Sequence, residues 1–278
     1  MLTDNTYGLP RPRPRFVPAT ASPYLDGVLA STVFDLDATI AASYGGSGQT
    51  WANLTAAPAD GSAKTAYDFY LGATSSAASD DPAFNGTPGD SAAYFSVDGG
   101  DFWRLAGAKP DFLDALHKTT GGTNWWLAMT IRWATSGNGL FGTGNASSAP
   151  GMNLRTTSAD GSMNLRMRGD TATVTFASPA GLLTNGGDAV IIHSFNKDTS
   201  IMARWVNTRT GTTGAFVPNA TSSDASGAGE IFSRGDGNFF MASGARLYSC
   251  AMGNEYLDDT KAAAIIAHLN ARHNRTYA

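Results

Sequence analysis

Charge is scarce in this chain and cysteine almost absent. Only 15% of its 278 residues are Asp, Glu, Lys or Arg, and the formal net charge is -4. No long basic run interrupts that balance, so the sequence carries no electrostatic footprint for nucleic acid, and no nucleic-acid partner is expected. One cysteine, Cys250, excludes an internal disulfide and points to folding in a reducing cytoplasm; it reads as a small apolar strand residue. No window approaches the roughly 18 consecutive apolar residues of a membrane span, so no membrane insertion is expected. The opening MLTDNTYGLPRPRPRF has neither a continuous apolar stretch nor a small-residue cleavage site and does not read as a secretory signal.

Catalytic groups are equally thin. Glutamate occurs only as Glu230 and Glu255, in different segments and with no second carboxylate two residues away. Retaining glycoside cleavage needs an acid and a nucleophile about 5 Å apart. Asp35 and Asp37 have a suitable spacing but lie in a weakly patterned region, and Asp258 and Asp259 are better explained as helix caps. His117, His193, His268 and His273 are far apart, with no zinc partner at helical or hairpin spacing, and His193 reads as a satisfied strand residue. No serine elbow is present. These absences argue against an enzyme.

What fills the chain is Gly, Ser, Thr, Ala and Asn around 42% hydrophobic residues, the composition of many short strands and tight turns. Trp125, Leu127, Met129, Ile131 and Trp133 alternate with Trp126, Ala128, Thr130 and Arg132, the period of two of a strand. Met152, Leu154 and Thr156 run through SADG into Met163, Leu165 and Met167, whose alternates Asn164, Arg166 and Arg168 are polar; that is a hairpin. FDLDATIAASY and AYDFYLG give shorter strands, the stretch from Gly72 to Gly89 reads as loop, and strands are expected over Thr171 to Phe176, Ala189 to Phe195, Ile201 to Val206, Thr213 to Val217, Glu230 to Phe232, Phe239 to Ala242 and Ala245 to Met252. One helix stands apart, over 258–273, with Ala262, Ile265, Ile266 and Leu269 on one face and Arg272 and His273 in its last turn. Residues 1–32 differ in composition: Pro10, Pro12 and Pro14 alternate with Arg11, Arg13 and Arg15, favouring an extended polyproline arm that builds no core of its own. The domain proper is then 33–278.

The order of these pieces resembles the concanavalin A-like jelly roll, in the laminin G-like form of phage particle proteins. Three stretches carry the likeness: AYFSVDGGDFWRLAG, NWWLAMTIRW, and the closing FFMASGARLYSCAMGNEYLDDTKAAAIIAHLNARH. The resemblance implies an all-β, antiparallel two-sheet sandwich with an extended N-terminal arm and one C-terminal helix. It also implies a lectin-like domain held by the arm on the surface of a tailed phage or phage-like particle, after folding in the host bacterial cytoplasm. Its partners would be other capsid or tail proteins and host cell-surface polysaccharide. A free carbohydrate-binding module is the alternative, and a glycoside hydrolase ranks third. Whether copies join into a homo-oligomer is left open.

Sugar binding needs flat aromatic faces beside hydrogen-bonding groups, for which Trp51, Trp103, Trp126, Trp133 and Trp205 are the candidates, with Trp51, Trp103 and Trp126 put forward. Trp126 is set apart because alternation turns it away from the larger apolar face, outward or toward a second layer. For any one tryptophan, core packing is the competing and commoner role. No cofactor is called for. Calcium is the one ion the Gly-rich loops suggest, through Asp98, Asp101, Asp236 and Asn238, although ordinary turns require the same residues and are favoured. Arg-Gly-Asp occurs at 168–170 and 234–236, which in a chain this rich in Gly and Asp reads as coincidence.

Overall fold

The computed structural model describes residues 22–135, 138–157 and 159–278. Among them sixteen strands form two antiparallel sheets packed face to face. Sheet A runs β14 (Thr212–Ala215), β13 (Ile201–Val206), β12 (Asp188–Asn196), β7 (Trp125–Arg132), β16 (Arg246–Gly253), β5 (Tyr94–Ser96), β4 (Ala83–Asn85). The far edge of β16 is shared, its start pairing with β5 and its end with β1 (Thr32–Asp37). Sheet B runs β11 (Thr173–Ala177), β10 (Met163–Arg168), β9 (Gly151–Thr156), β8 (Gly139–Gly142), β15 (Glu230–Ile231), β6 (Trp103–Leu105), β3 (Phe69–Leu71), β2 (Thr50–Trp51).

Alternation explains how each sheet is used. Trp125, Leu127, Met129 and Ile131 of β7 face Met152, Leu154, Met163, Leu165 and Met167 of sheet B across the main core. The opposite face of β7 is apolar too: Trp126 and Ala128 join Val190, Ile192, Ala203 and Trp205 in a second core beneath helix α2 (Asp259–His273). Strands buried on both faces lose their polar alternation. The α2 residues Ala262, Ile265, Ile266 and Leu269 supply the other half of this layer. Asp258 caps the helix by accepting from the Lys261 N–H (2.9 Å), and Asn274 closes it in the left-handed region at φ 49°. The expected helix over 258–273 is therefore found.

Leu25 and Leu29, inside the segment assigned to the arm, are buried in the second core, and the Leu25 N–H donates to Asp35 Oδ2 (3.0 Å). The packed unit thus begins before residue 33. Pro10, Arg11, Pro12, Arg13, Pro14 and Arg15 lie outside the described residues. Several elements differ from expectation, β2 and β8 among them, since neither was expected from the sequence. β4 sits inside the expected 72–89 loop, a short helix α1 (Asp111–Ala115) appears where none was expected, and no strand forms over Phe239 to Ala242. Phe239 takes φ 60° and Phe232 φ 59°, left-handed backbone incompatible with an extended strand.

Candidate functional site

The same alternation fixes what the outer face of sheet B presents. Met152 and Leu154 of β9 are in the main core, so Gly151, Asn153 and Arg155 face away; Met163, Leu165 and Met167 of β10 likewise leave Asn164, Arg166 and Arg168 outward. Pairing then sets Asn153 opposite Arg166, Arg155 opposite Asn164, and Arg168 opposite Gly151. Thr175 and Thr173 of β11 continue two of these rows, opposite Arg166 and Arg168. Directly opposed side chains stand about 5 Å apart at Cβ and diagonal ones about 7–8 Å. Three guanidinium groups and two carboxamides, those of Asn153 and Asn164, therefore start from a single patch.

Its charge is unbalanced. Among the described residues Arg155, Arg166 and Arg168 form no ion pair. Arg166 donates to Ser147 Oγ (3.2 Å), and Arg168 to the Ser147 carbonyl (3.0 Å) and Thr173 Oγ1 (3.3 Å); the Nε of all three arginines is buried without an acceptor. Burial, reinforced by Arg166 and Arg234, holds the Arg155 pKa below the usual arginine value. Asn153 is only 1% exposed, and neither its amide oxygen nor its amide nitrogen has a partner. A buried polar group left without a partner costs about 1–3 kcal/mol, so this carboxamide is one that a bound polar group would satisfy.

Residues 233–238 wall the other side of the patch, and glycine lets them approach. Gly142 lies opposite Asn153 in register, and a Cβ on it would meet the Arg234 carbonyl oxygen at 2.2 Å. Glu230 anchors this loop: it accepts from Ser233 Oγ (2.5 Å) and the Gly237 N–H (2.9 Å) while paired to Arg104 (2.6 Å). The loop then exposes Phe239, 46% accessible, whose strained backbone is held by its carbonyl accepting from the Gly139 N–H (2.7 Å) and whose ring lies 4.2 Å from the Arg234 guanidinium carbon. An outward aromatic ring, a spare carboxamide and unpaired arginines are the parts from which polar ligand sites are built.

The aromatic residues expected to meet sugar lie elsewhere. Trp51, Trp103 and Trp126 are each 0% exposed. Trp51 and Trp103 pack on one another at 5.6 Å and on Phe95 in the main core. Trp126 lies over Gly253, where a Cβ would stand 2.2 Å from its indole nitrogen, and α2 closes the layer above. This corrects the glycan assignment of all three: a flat ring satisfied by core packing has no face left for a ligand. Trp126 does turn toward a second layer, and that layer is the helix.

Glu230 and Glu255 stand on different sides of the molecule, Glu230 in sheet B and Glu255 beside α2, paired there with Lys261. Asp35 and Asp37 are fully buried against Arg272. The Asp98 N–H donates to Asp101 Oδ2 (2.8 Å) and Asp98 Oδ1 accepts from the Gly100 N–H (3.1 Å), which makes a turn. Asp236 is bound to Arg234 (2.7 Å), and Asn238 Nδ2 donates to the Asp236 carbonyl (3.0 Å). The carboxylates of Asp98, Asp101 and Asp236 are thus engaged in turn and ion-pair contacts, and among the described residues no three His, Cys, Asp or Glu side chains converge as a metal site. The Arg-Gly-Asp stretches are also tied down locally, Arg234 to Asp236 and Asp170 to Thr221 Oγ1 (2.8 Å). A cleft of 530 Å³ beside α1 includes Asp60, but that carboxylate is already taken by Ser62 and Tyr67.

Arg166 and Arg168 were visible in the sequence as the polar alternates of a hairpin strand. Asn153 and Arg155 share that signal in β9. Missing was the cross-strand register that gathers them and the absence of a counter-charge, neither of which a linear pattern displays.

No protein-family model and no curated protein sequence matches this chain. Solved structures do. The CBM40 module of Ruminococcus gnavus IT-sialidase, solved with α2,3-sialyllactose, is similar at 11% identity and TM-score 0.50, over 62% of this chain and 95% of that one. The binding domain of botulinum neurotoxin DC, solved with SialylT, is similar at 10% identity and TM-score 0.56, over 88% of this chain and 52% of that one. That of botulinum neurotoxin serotype D reaches TM-score 0.58 at 8% identity, over 89% and 52%. The chain thus spans about half the length of the neurotoxin binding domains. At these identities the likeness is one of fold: this is a lectin-like two-sheet jelly roll with a C-terminal helix.

Proposed function

We propose that this protein is a non-enzymatic carbohydrate-binding domain whose ligand lies on the outer face of sheet B. The observation that carries the reading is Asn153, a carboxamide with both polar atoms unspent, in a patch of unpaired arginines rimmed by the outward ring of Phe239. The glycan-binding domains among its fold neighbours support it, as does the separation of the two glutamates. The test is a glycan array probed with the full chain and with Asn153→Ala. Binding by the full chain that weakens in the variant upholds the reading; a full chain that binds no glycan, or binds one identically without Asn153, overturns it.

The finer reading, a phage or phage-like particle protein displaying this domain, is supported by the layout of a Pro/Arg arm ahead of a lectin-like sandwich. Because Leu25 and Leu29 belong to the second core, the arm is to be removed only as far as residue 21. Co-sedimentation with particles by the full chain and not by the shortened one is the expected result. Sedimentation of neither favours a free carbohydrate-binding module.

A further inference from the structure

Resting on the glycan-binding reading, we infer that the ligand is an acidic glycan, a sugar carboxylate seated among Arg155, Arg166 and Arg168 with Asn153 beneath it. A neutral sugar calls for mixed donors and acceptors, usually with carboxylates or amides as acceptors for its hydroxyls. This face carries three cations and, within the same rows, no acid: the neighbouring residues in register are Asn164, Thr173, Thr175, Ala177 and three glycines, Gly139, Gly142 and Gly151. The nearby carboxylates are already spent, Glu230 on Arg104 and Asp236 on Arg234. Assembling three guanidinium groups without counter-charge works against folding, and a bound carboxylate reverses that cost by accepting from them in forked, charge-assisted bonds.

Asn153 gives the site its selectivity for a carboxylated sugar over any polyanion. Its Nδ2 donates to a carboxylate oxygen, and its Oδ1 accepts from a hydroxyl, two demands that a carboxylate-bearing ring meets together and a bare anion does not. The carboxamide is flanked by Arg166 on one side and the Arg234 backbone over Gly142 on the other. Of these, Arg166 is the side that moves, because its guanidinium is held by one 3.2 Å bond to Ser147 Oγ, while the loop is pinned by Glu230.

The experiment compares binding of the full chain to three probes by calorimetry at 150 mM salt: oligosaccharides containing uronic or sialic acid, their neutral counterparts with the acid reduced to an alcohol, and dextran sulfate. The expected result is binding of at least one carboxylated glycan, lost at least tenfold on reduction and in Arg166→Gln. Asn153→Asp is the sharper variant: it places a carboxylate among the arginines, so it raises the thermal midpoint while abolishing binding, which a misfolded variant does not do. Binding of neutral and acidic glycans alike overturns this inference and leaves the glycan-binding reading standing. Equal binding of dextran sulfate and carboxylated glycans, lost at higher salt, also overturns it, because the face is then a general polyanion surface. Binding of no glycan at all removes both.

Discussion

Arg272 shows what a single residue holds together in this fold. Its guanidinium, 5% exposed, bridges Asp35 at 2.9 Å and Asp37 at 2.9 Å, both fully buried where α2 meets β1, and His273 Nε2 bonds the same Asp37 oxygen at 2.9 Å. Burial pushes the Asp37 carboxyl up, but His273 and Arg272 outweigh it and hold the group well below the usual carboxylate range. Removing the cation takes the shared counter-charge from two buried carboxylates and leaves Asp37 only its contact with His273. Arg272→Met is expected to cost about 3–5 kcal/mol in urea denaturation, and Asp37→Asn added to it recovers part of the loss because one stranded charge disappears. Independent, additive losses in the double variant would show that the three groups do not act as one unit. None of this was legible beforehand: Asp35 and Asp37 lie 235 or more residues from Arg272, and only the fold joins them. The tryptophans misled for a related reason. A ring that binds sugar and a ring that fills a core have the same neighbours in sequence, and the second layer that covers Trp126 is set by α2, whose position the sequence does not state.

Elements were read well where the run is long and its residue types keep a clear period. The β9–β10 hairpin and β7 follow a period of two over six residues or more, and α2 announces itself through its cap, its apolar face and its basic end. β4, three residues long, and α1, five, are too short to show any period, and residues 232–240 break the expected strand because Phe232 and Phe239 are held in left-handed backbone. That irregular loop is the element most specific to the candidate site. It comes down on β8 where Gly142 leaves room, with the Arg234 carbonyl standing where a side chain would begin. Gly142→Ala drives a methyl into backbone, which cannot rotate away, so the loop must lift from the sheet. We expect a loss of about 1–3 kcal/mol in stability, in the range of overpacked sites. Glycan affinity falls with it, since Arg234 and Phe239 move together. Unchanged affinity at reduced stability would separate the loop from the site.

At the scale of the whole molecule, the balance of buried titratable groups sets how stability responds to acid, and the signs differ between them. His193 faces the main core from β12 opposite Arg204, and burial with that cation pushes its pKa down to about 3; His117, fully buried after α1, is pushed down to about 4 by burial and then by Lys118. Below the ordinary value of 6.5 the unfolded chain takes up protons that the folded chain refuses, so the stability each contributes is present above pH 6.5 and is lost as pH falls toward the folded values. Between pH 7 and 5 the pair removes roughly 3–4 kcal/mol, at about 1.4 kcal/mol per pH unit for each group. Asp101 acts in the opposite sense: burial, with repulsion from Asp98 and Asp80, pushes its carboxyl up to about 6, so its contribution grows as pH falls through that value and offsets about 1 kcal/mol over the same window. The histidines win, and the protein is expected to lose on the order of 2 kcal/mol in urea denaturation between pH 7 and 5. The slope rather than the level is diagnostic, because any substitution at a buried site shifts the level. His193→Gln flattens the pH dependence and Asp101→Asn steepens it. A wild-type chain equally stable at both pH values, with neither variant changing the slope, would mean that these three groups titrate in the folded protein as they do in the unfolded one.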